Sequence, residues 1–268
     1  MTLLAVATVS ALALWWASTG VLLYLDRLPA PTYRHSMVGG TVVLLASLAA
    51  LWWVRDATSV GAAFVGFVAA LGAWSWQELS FYTGYVTGPR RHACPPGCSG
   101  VRHFGHAVQA SLYHELAIVA TAATIAWISA GAANRLGLWI FLALWVMHES
   151  ARVNVLLGVR NIHEEFLPDH LSYLRSFCRV RRMNPLMPVS LLGSGVAVAL
   201  VAGRALEAAT AFDTAAWSLL AATLAIGLLE HVFLALPIPV DRLWAWVSPP
   251  SASPDPPEPL PARAGPAA

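Results

Sequence analysis

The sequence contains no lysine: all 16 of its basic residues are arginine. Charged residues of either sign make up only 11% of the 268 positions, less than half of the roughly 25% found in an average soluble domain. A water-soluble fold of this length could not clothe its surface with so little charge. The chain also lacks a strong charge balance, with 16 basic against 14 acidic residues, which argues against nucleic acid as a partner. No internal repeat recurs at a fixed period. The first apolar block has no basic leader and no small-residue cleavage site, and it is too long for a signal peptide, so it reads as a retained span.

What the chain has instead is hydrocarbon. Hydrophobic residues make up 57% of it and the mean hydropathy is +0.62. They come in blocks of about 18 to 25, the length a helix needs to cross a bilayer core about 30 Å thick. These blocks predict an all-α, polytopic integral membrane protein with spans at 3–25, 37–54, 60–84, 107–130, 134–157, 186–203 and 214–236, forming one domain over 1–246. The segment 158–185 is too polar to span. Phe166, Leu167, Leu171, Leu174 and Phe177 recur in it at helical spacing, which predicts an amphipathic helix lying along the interface. The tail 247–268 is rich in Pro, Ala and Ser and is expected to be disordered.

Arginine gives the orientation. With seven spans, Arg27, Arg34, Arg90, Arg91, Arg102, Arg160, Arg175, Arg179, Arg181, Arg182, Arg242 and Arg263 fall on one side, and Arg55, Arg135 and Arg204 on the other. Basic loops stay in the cytoplasm, so the amino terminus is expected to be periplasmic and the carboxyl terminus cytoplasmic, in an inner or intracytoplasmic membrane. The basic face also suits anionic lipid headgroups. Cys94, Cys98 and Cys178 then lie on the reducing side, where structural disulfides are not expected. The stretch "HACPPGCSGVRH" offers His92, Cys94, Cys98 and His103 to zinc in principle. Its C-x3-C spacing has no second pair, and a Pro/Gly turn with incidental thiols is the preferred reading.

Arg152 is left over, inside the fifth span. A charged side chain there costs about 2.5–3.5 kcal/mol even on lenient insertion scales, so each one calls for a partner or a role. Glu78 in the third span, His114 and Glu115 in the fourth, His148, Glu149, Arg152 and Asn154 in the fifth, and Glu230 and His231 in the seventh all fall at one depth near the arginine-rich face. The segment below them adds His163, Glu164, Glu165 and His170. One reading is a structural network, with Glu149 to Arg152, His114 to Glu78 and Asn154 to Glu165 satisfying one another. The other is a site for a metal, proton, quinone or pigment.

Iron is the sharpest metal proposal, because carboxylates and imidazoles on facing helices build di-iron bundle sites. Its candidate ligands are Glu78, His114, Glu115, Glu165, Glu230 and His231. Those bundles use Glu-x-x-His, whereas the adjacent "HE" and "EH" pairs here point about 100° apart. A bacteriochlorophyll-type pigment, held by a histidine in an aromatic wall, is the other candidate. Trp15, Trp16, Trp52, Trp53, Trp244 and Trp246 read as interface belts, while Trp74, Trp76, Trp139 and Trp145 lie deeper.

The wording of the motifs adds a further indication. "WSWQELSFYTGYVTGPRRHACPPG", "YHELAI", "ARVNVLLGVRNIHEEFLPDHLSYL", "RRMNPLMPVS" and "LLEHVFLALPIPVDRLWAW" together resemble the PuhE photosynthetic complex assembly family of anoxygenic phototrophs, from about Leu3 to Trp246. The resemblance implies a membrane protein that aids assembly of the reaction-centre and light-harvesting core and influences bacteriochlorophyll supply, with no settled catalytic activity. It marks Glu78, Gly88, Pro89, Cys94, His114, Glu115, Asn154, Gly158, Asn161, Glu165, Pro168, Glu230 and His231. His148, Glu149 and Cys98 depart from that pattern, which leaves His148 outside the expected ligand set. The alternative function is a membrane-embedded iron-dependent oxidoreductase acting on a pigment or its precursor.

The orientation has a direct test. A membrane-impermeant thiol reagent applied to whole cells should label Asp56→Cys and miss Asp169→Cys; the reverse pattern would invert the topology.

Overall fold

In the computed structural model, which describes residues 2–162, 167–238 and 243–244, every apolar block folds as a helix. These are α1 (Thr2–Asp26), α2 (Tyr33–Val54), α3 (Val60–Tyr82), α4 (Gly100–Ile128), α5 (Leu136–Leu157), α6 (Leu186–Leu206) and α7 (Ala211–Ala235). All seven are long and apolar enough to cross a membrane. Among the described residues there is no strand, only a single bridge between Val159 and Val180. His163, Glu164, Glu165, Phe166, Arg242, Trp246, Arg263 and the tail 247–268 lie outside the described residues.

Helix α4 begins seven residues before the expected 107. Hydropathy marks where apolar sequence starts, but a helix can run on through polar residues, and Arg102, His103 and His106 occupy the extra turns. The amphipathic segment below the bundle also departs from expectation. It is a 3-10 helix over Asp169–Phe177 rather than a regular α-helix. Leu171, Leu174 and Phe177 recur every third residue, which is the 3-10 period, so their side chains line up on one face. Leu171 and Phe177 are buried.

Helices α3 and α7 are the inner members, and α1 and α6 are the most lipid-exposed. The reason is side-chain size. In the absence of a hydrophobic drive between spans, helices approach where small residues allow van der Waals contact. Helix α3 buries Ala62, Ala63, Gly66, Ala69, Ala70 and Ala73, and α7 buries Ala215, Ser218, Ala222 and Gly227. Helix starts are fixed locally. Ser59 accepts from the Ala62 amide, and Thr210 accepts from the Asp213 amide while donating to the Asp213 carboxylate. Asn184 accepts from the Leu186 and Met187 amides at the head of α6. It also donates to the Asn154 and Gly158 carbonyls at the foot of α5, so one amide joins two helix ends.

The connection between α3 and α4 matters most for function. Residues 86–90 lie directly along α4: the His114 amide donates to the Thr87 carbonyl at 3.0 Å, and the Arg90 amide donates to the Gln109 carbonyl at 3.4 Å. Such backbone-to-backbone approach requires glycine. A Cβ at Gly88 would stand 2.0 Å from the Gln109 carbonyl oxygen. Gly88→Ala should therefore destabilise the protein by about 1–3 kcal/mol, read as a lowered thermal midpoint in detergent. Gly105→Ala, where nothing lies within 4 Å, should be neutral or stabilising by up to about 1 kcal/mol.

Candidate functional site at the arginine-rich end of the bundle

Three helices deliver one ligand-bearing side chain each to a common point. Glu78 comes from α3, His114 from α4 and His148 from α5, and their ligand atoms all lie within 4.8 Å of one another. His148 Nδ1 is 3.4 Å from the Glu78 carboxylate, close but too poorly aligned for a hydrogen bond. His114 is 1% exposed, and among the described residues neither of its ring nitrogens has a hydrogen-bond partner. Unpartnered buried polar groups are rare, because each loses its hydration without compensation. Its ring lies 4.7 Å from that of Phe81 and 5.9 Å from that of His148, which in turn lies 5.3 Å from Trp74.

This group stands between two cavities. The first, of about 330 Å³, opens between α1, α3, α5 and α7 and is lined by Trp15, Asp26, Trp74, Glu78, His148 and Glu230, among others. The second, of about 440 Å³, lies between α3, α4, α5 and the 3-10 segment, with Phe81, His114, Glu115, Arg152, Leu174 and Phe177 in its wall. His148 and Tyr82 line both. Both volumes fall in the roughly 300–1,000 Å³ range of small-molecule sites.

Two further networks flank the site. Arg152 pairs with Glu115 across helices, bonds Glu149 at 2.9 Å one turn earlier in α5, and donates to the Ser111 hydroxyl at 2.5 Å. One guanidinium thus serves two carboxylates. On the other side, His231 is wholly buried. Its Nδ1 lies 2.7 Å from the Gly227 carbonyl, which can only accept, so Nδ1 carries the proton and Nε2 accepts from the Ser150 hydroxyl at 2.9 Å. The Ser150 and Ser190 hydroxyls are 3.0 Å apart, and Asn154 donates to Ser190 at 2.9 Å.

Of the six residues expected as metal ligands, then, Glu78 and His114 meet. Glu115 is turned into the ion pair with Arg152, Glu230 faces the first cavity, and both ring nitrogens of His231 are engaged. Glu165 lies outside the described residues. Arg152 and Asn154 belong to the flanking networks. His148, set aside on its departure from the family pattern, occupies the centre. Its depth in α5, one turn before Arg152, was the signal for it. Asp26, at the end of α1 and just past the expected span, also reaches the first cavity.

Beyond the spans, a second small group forms from the α3–α4 loop and the head of α4. It brings Cys94 and Cys98 to His106, not to His92. Burial raises the Cys94 thiol above its ordinary value. The hydrogen bond with Cys94 lowers the Cys98 thiol, with Arg102 and Arg90 acting in the same direction.

Seven apolar helices around a buried, titratable centre flanked by two cavities define a multi-pass helical membrane protein. The chain belongs to the family described as "Protein of unknown function (DUF3623)", whose model matches residues 1–255. It is 36% identical over 239 residues, 88% of this chain and 87% of the relative, to the "Uncharacterized 30.4 kDa protein in puhA 5'region" of Rhodobacter capsulatus. No solved structure matches.

Arg152→Gln leaves Glu115 and Glu149 without their shared cation. It should cost roughly 1.5–3 kcal/mol, the range for a hydrogen bond to a charged group, seen as a lower thermal midpoint. Adding Glu115→Gln and Glu149→Gln should restore most of the loss.

Proposed function

We propose that this protein is a membrane assembly factor for the photosynthetic reaction-centre and light-harvesting core of anoxygenic phototrophs, and that its intramembrane site receives a bacteriochlorophyll-type pigment. His114 carries this reading. A buried imidazole whose two nitrogens are unengaged among the described residues, on the wall of a cavity of about 440 Å³ lined by Phe81, Phe104 and Phe177, is suited to bind the central magnesium of a flat aromatic macrocycle. When bound, such a pigment would supply light absorption; the chain would hold it through the His114 imidazole and supply an apolar wall and shelter from water. The photosynthetic context is supported by the resemblance in the motifs and by the relative whose gene lies in the puhA 5' region. The arginine-rich end faces the cytoplasm in this reading, where it meets anionic lipid and the membrane subunits being assembled.

A second reading rests on a different observation. Glu78, His114 and His148 form a set of two imidazoles and one carboxylate, the donor set of non-haem iron oxygenases with open coordination positions. An iron ion there would make the protein an oxidoreductase acting on a pigment or its precursor, with the adjacent cavities as substrate space.

One preparation separates the two. Protein purified in mild detergent from a phototrophically grown host should carry bacteriochlorophyll, and His114→Ala should lose most of it while still inserting. Near-stoichiometric iron that disappears in Glu78→Ala, His114→Ala and His148→Ala would favour the oxidoreductase. Neither pigment nor iron in the wild-type protein would leave the centre as a packing network and remove both readings.

A further inference from the structure

Two thiols converge on one nitrogen at the head of α4. Cys94 Sγ lies 3.3 Å from His106 Nδ1, and Cys98 Sγ lies 3.4 Å from the same atom. A ring nitrogen has either one proton to give or one lone pair to receive with. That nitrogen can hydrogen-bond only one of the two sulfurs at a time, whereas a cation among the three atoms is held by all of them at once.

The dimensions agree. With metal–sulfur and metal–nitrogen bonds of about 2.3 and 2.0–2.1 Å at a tetrahedral centre, sulfur and nitrogen ligands stand roughly 3.6 Å apart, within a few tenths of an ångström of the observed separations. The chain builds this arrangement through a turn. The Cys98 amide donates to the Pro95 carbonyl at 3.1 Å, and Gly97 and Gly100 both take positive φ, 76° and 62°, where a side chain would be strained. Helix α4 then sets His103 and His106 three residues apart on one face. His103 is buried, and its Nδ1 lies 3.3 Å from Cys94 Sγ. It stands outside the three-atom group, as an outer partner that orients the sulfur.

We propose that Cys94, Cys98 and His106 bind a zinc-type divalent ion, with water in the fourth position. The ion would fasten the α3–α4 loop to the head of α4. The Cys94 amide also donates to Ser176 Oγ at 2.9 Å, so the same fastening reaches the 3-10 segment whose Leu174 and Phe177 line the second cavity. Metal occupancy at the loop is in this way tied to the floor beneath His114. The proposal does not depend on what the intramembrane site binds.

The test uses the full-length protein purified in detergent without chelators. Near-stoichiometric zinc is expected, and replacing it with cobalt should give the near-ultraviolet thiolate-to-cobalt charge-transfer band and the strong visible bands of a tetrahedral centre. Cys94→Ser, Cys98→Ser and His106→Ala should each lower cobalt affinity by more than about 100-fold, and His103→Ala by about 10–100-fold as an outer partner. His114→Ala, which empties the intramembrane site, should leave the cobalt spectrum unchanged. The proposal is overturned by a wild-type protein that takes up neither ion, by zinc retained equally in the three ligand variants, or by a Cys94–Cys98 disulfide in protein kept reduced throughout. Should the variants fail to fold, the cobalt spectrum of the wild-type protein decides alone: no sulfur band, no site.

Discussion

Hydrocarbon offers no hydrogen bonds, so every polar group placed inside it must find a partner within the protein. That constraint accounts for most of what the arginine-rich half of this bundle looks like. Arg152 gathers Glu115, Glu149 and Ser111 around itself, and His231, Ser150, Ser190 and Asn154 pass hydrogen bonds from α7 to α5 and α6. Each network ties helices together through groups that would be costly if left alone. His114 stands between them with neither ring nitrogen partnered among the described residues, beside a Glu78 carboxylate oxygen that is also unpartnered.

The arrangement also explains why a short loop carries so much structure. Residues 86–90 press against α4 and take over the hydrogen bonds of Gln109 and His114, fixing the turn of helix from which His114 projects. Gly88 makes that contact possible because no side chain fits between the two backbones. The same connection continues into Cys94 and Cys98 and returns along α4 through His103 and His106. Loop, helix head and 3-10 segment form one continuous support beneath the second cavity. Asn184 and Asn161 give comparable support on the far side. Asn184 joins α5 to α6, and Asn161 donates to the Phe233, Leu236 and Ile238 carbonyls at the end of α7.

Depth was the most informative quantity in the sequence. The rise per residue of a helix is constant, so counting from the apolar boundaries places Glu78, His114, His148, Glu230 and Arg152 in one layer. What counting could not supply was azimuth. Adjacent residues such as His114 and Glu115, or Glu230 and His231, point about 100° apart, and they go to different surroundings: His114 to the centre and Glu115 to Arg152, Glu230 to a cavity and His231 to a serine. A pair that reads as one motif therefore splits into two roles. His148 departs from the family pattern, yet its depth matches that of Glu78 and His114, and the structure brings the three together.

By itself the sequence determined the number of membrane helices, their ends to within several residues, and the layer in which polar chemistry is concentrated. All three follow from local quantities: hydropathy, helix rise and the cost of burying charge. Only the tertiary structure decided which of the polar residues face one another. Rotation of each helix about its axis is set by contacts such as those among small residues on α3 and α7 and by a loop packed against α4, and these are relations between segments distant in the chain. The same holds for Cys94, Cys98 and His106. Their spacing matches no familiar metal pattern, and only the turn through Gly97 and Gly100 into the face of α4 brings them together.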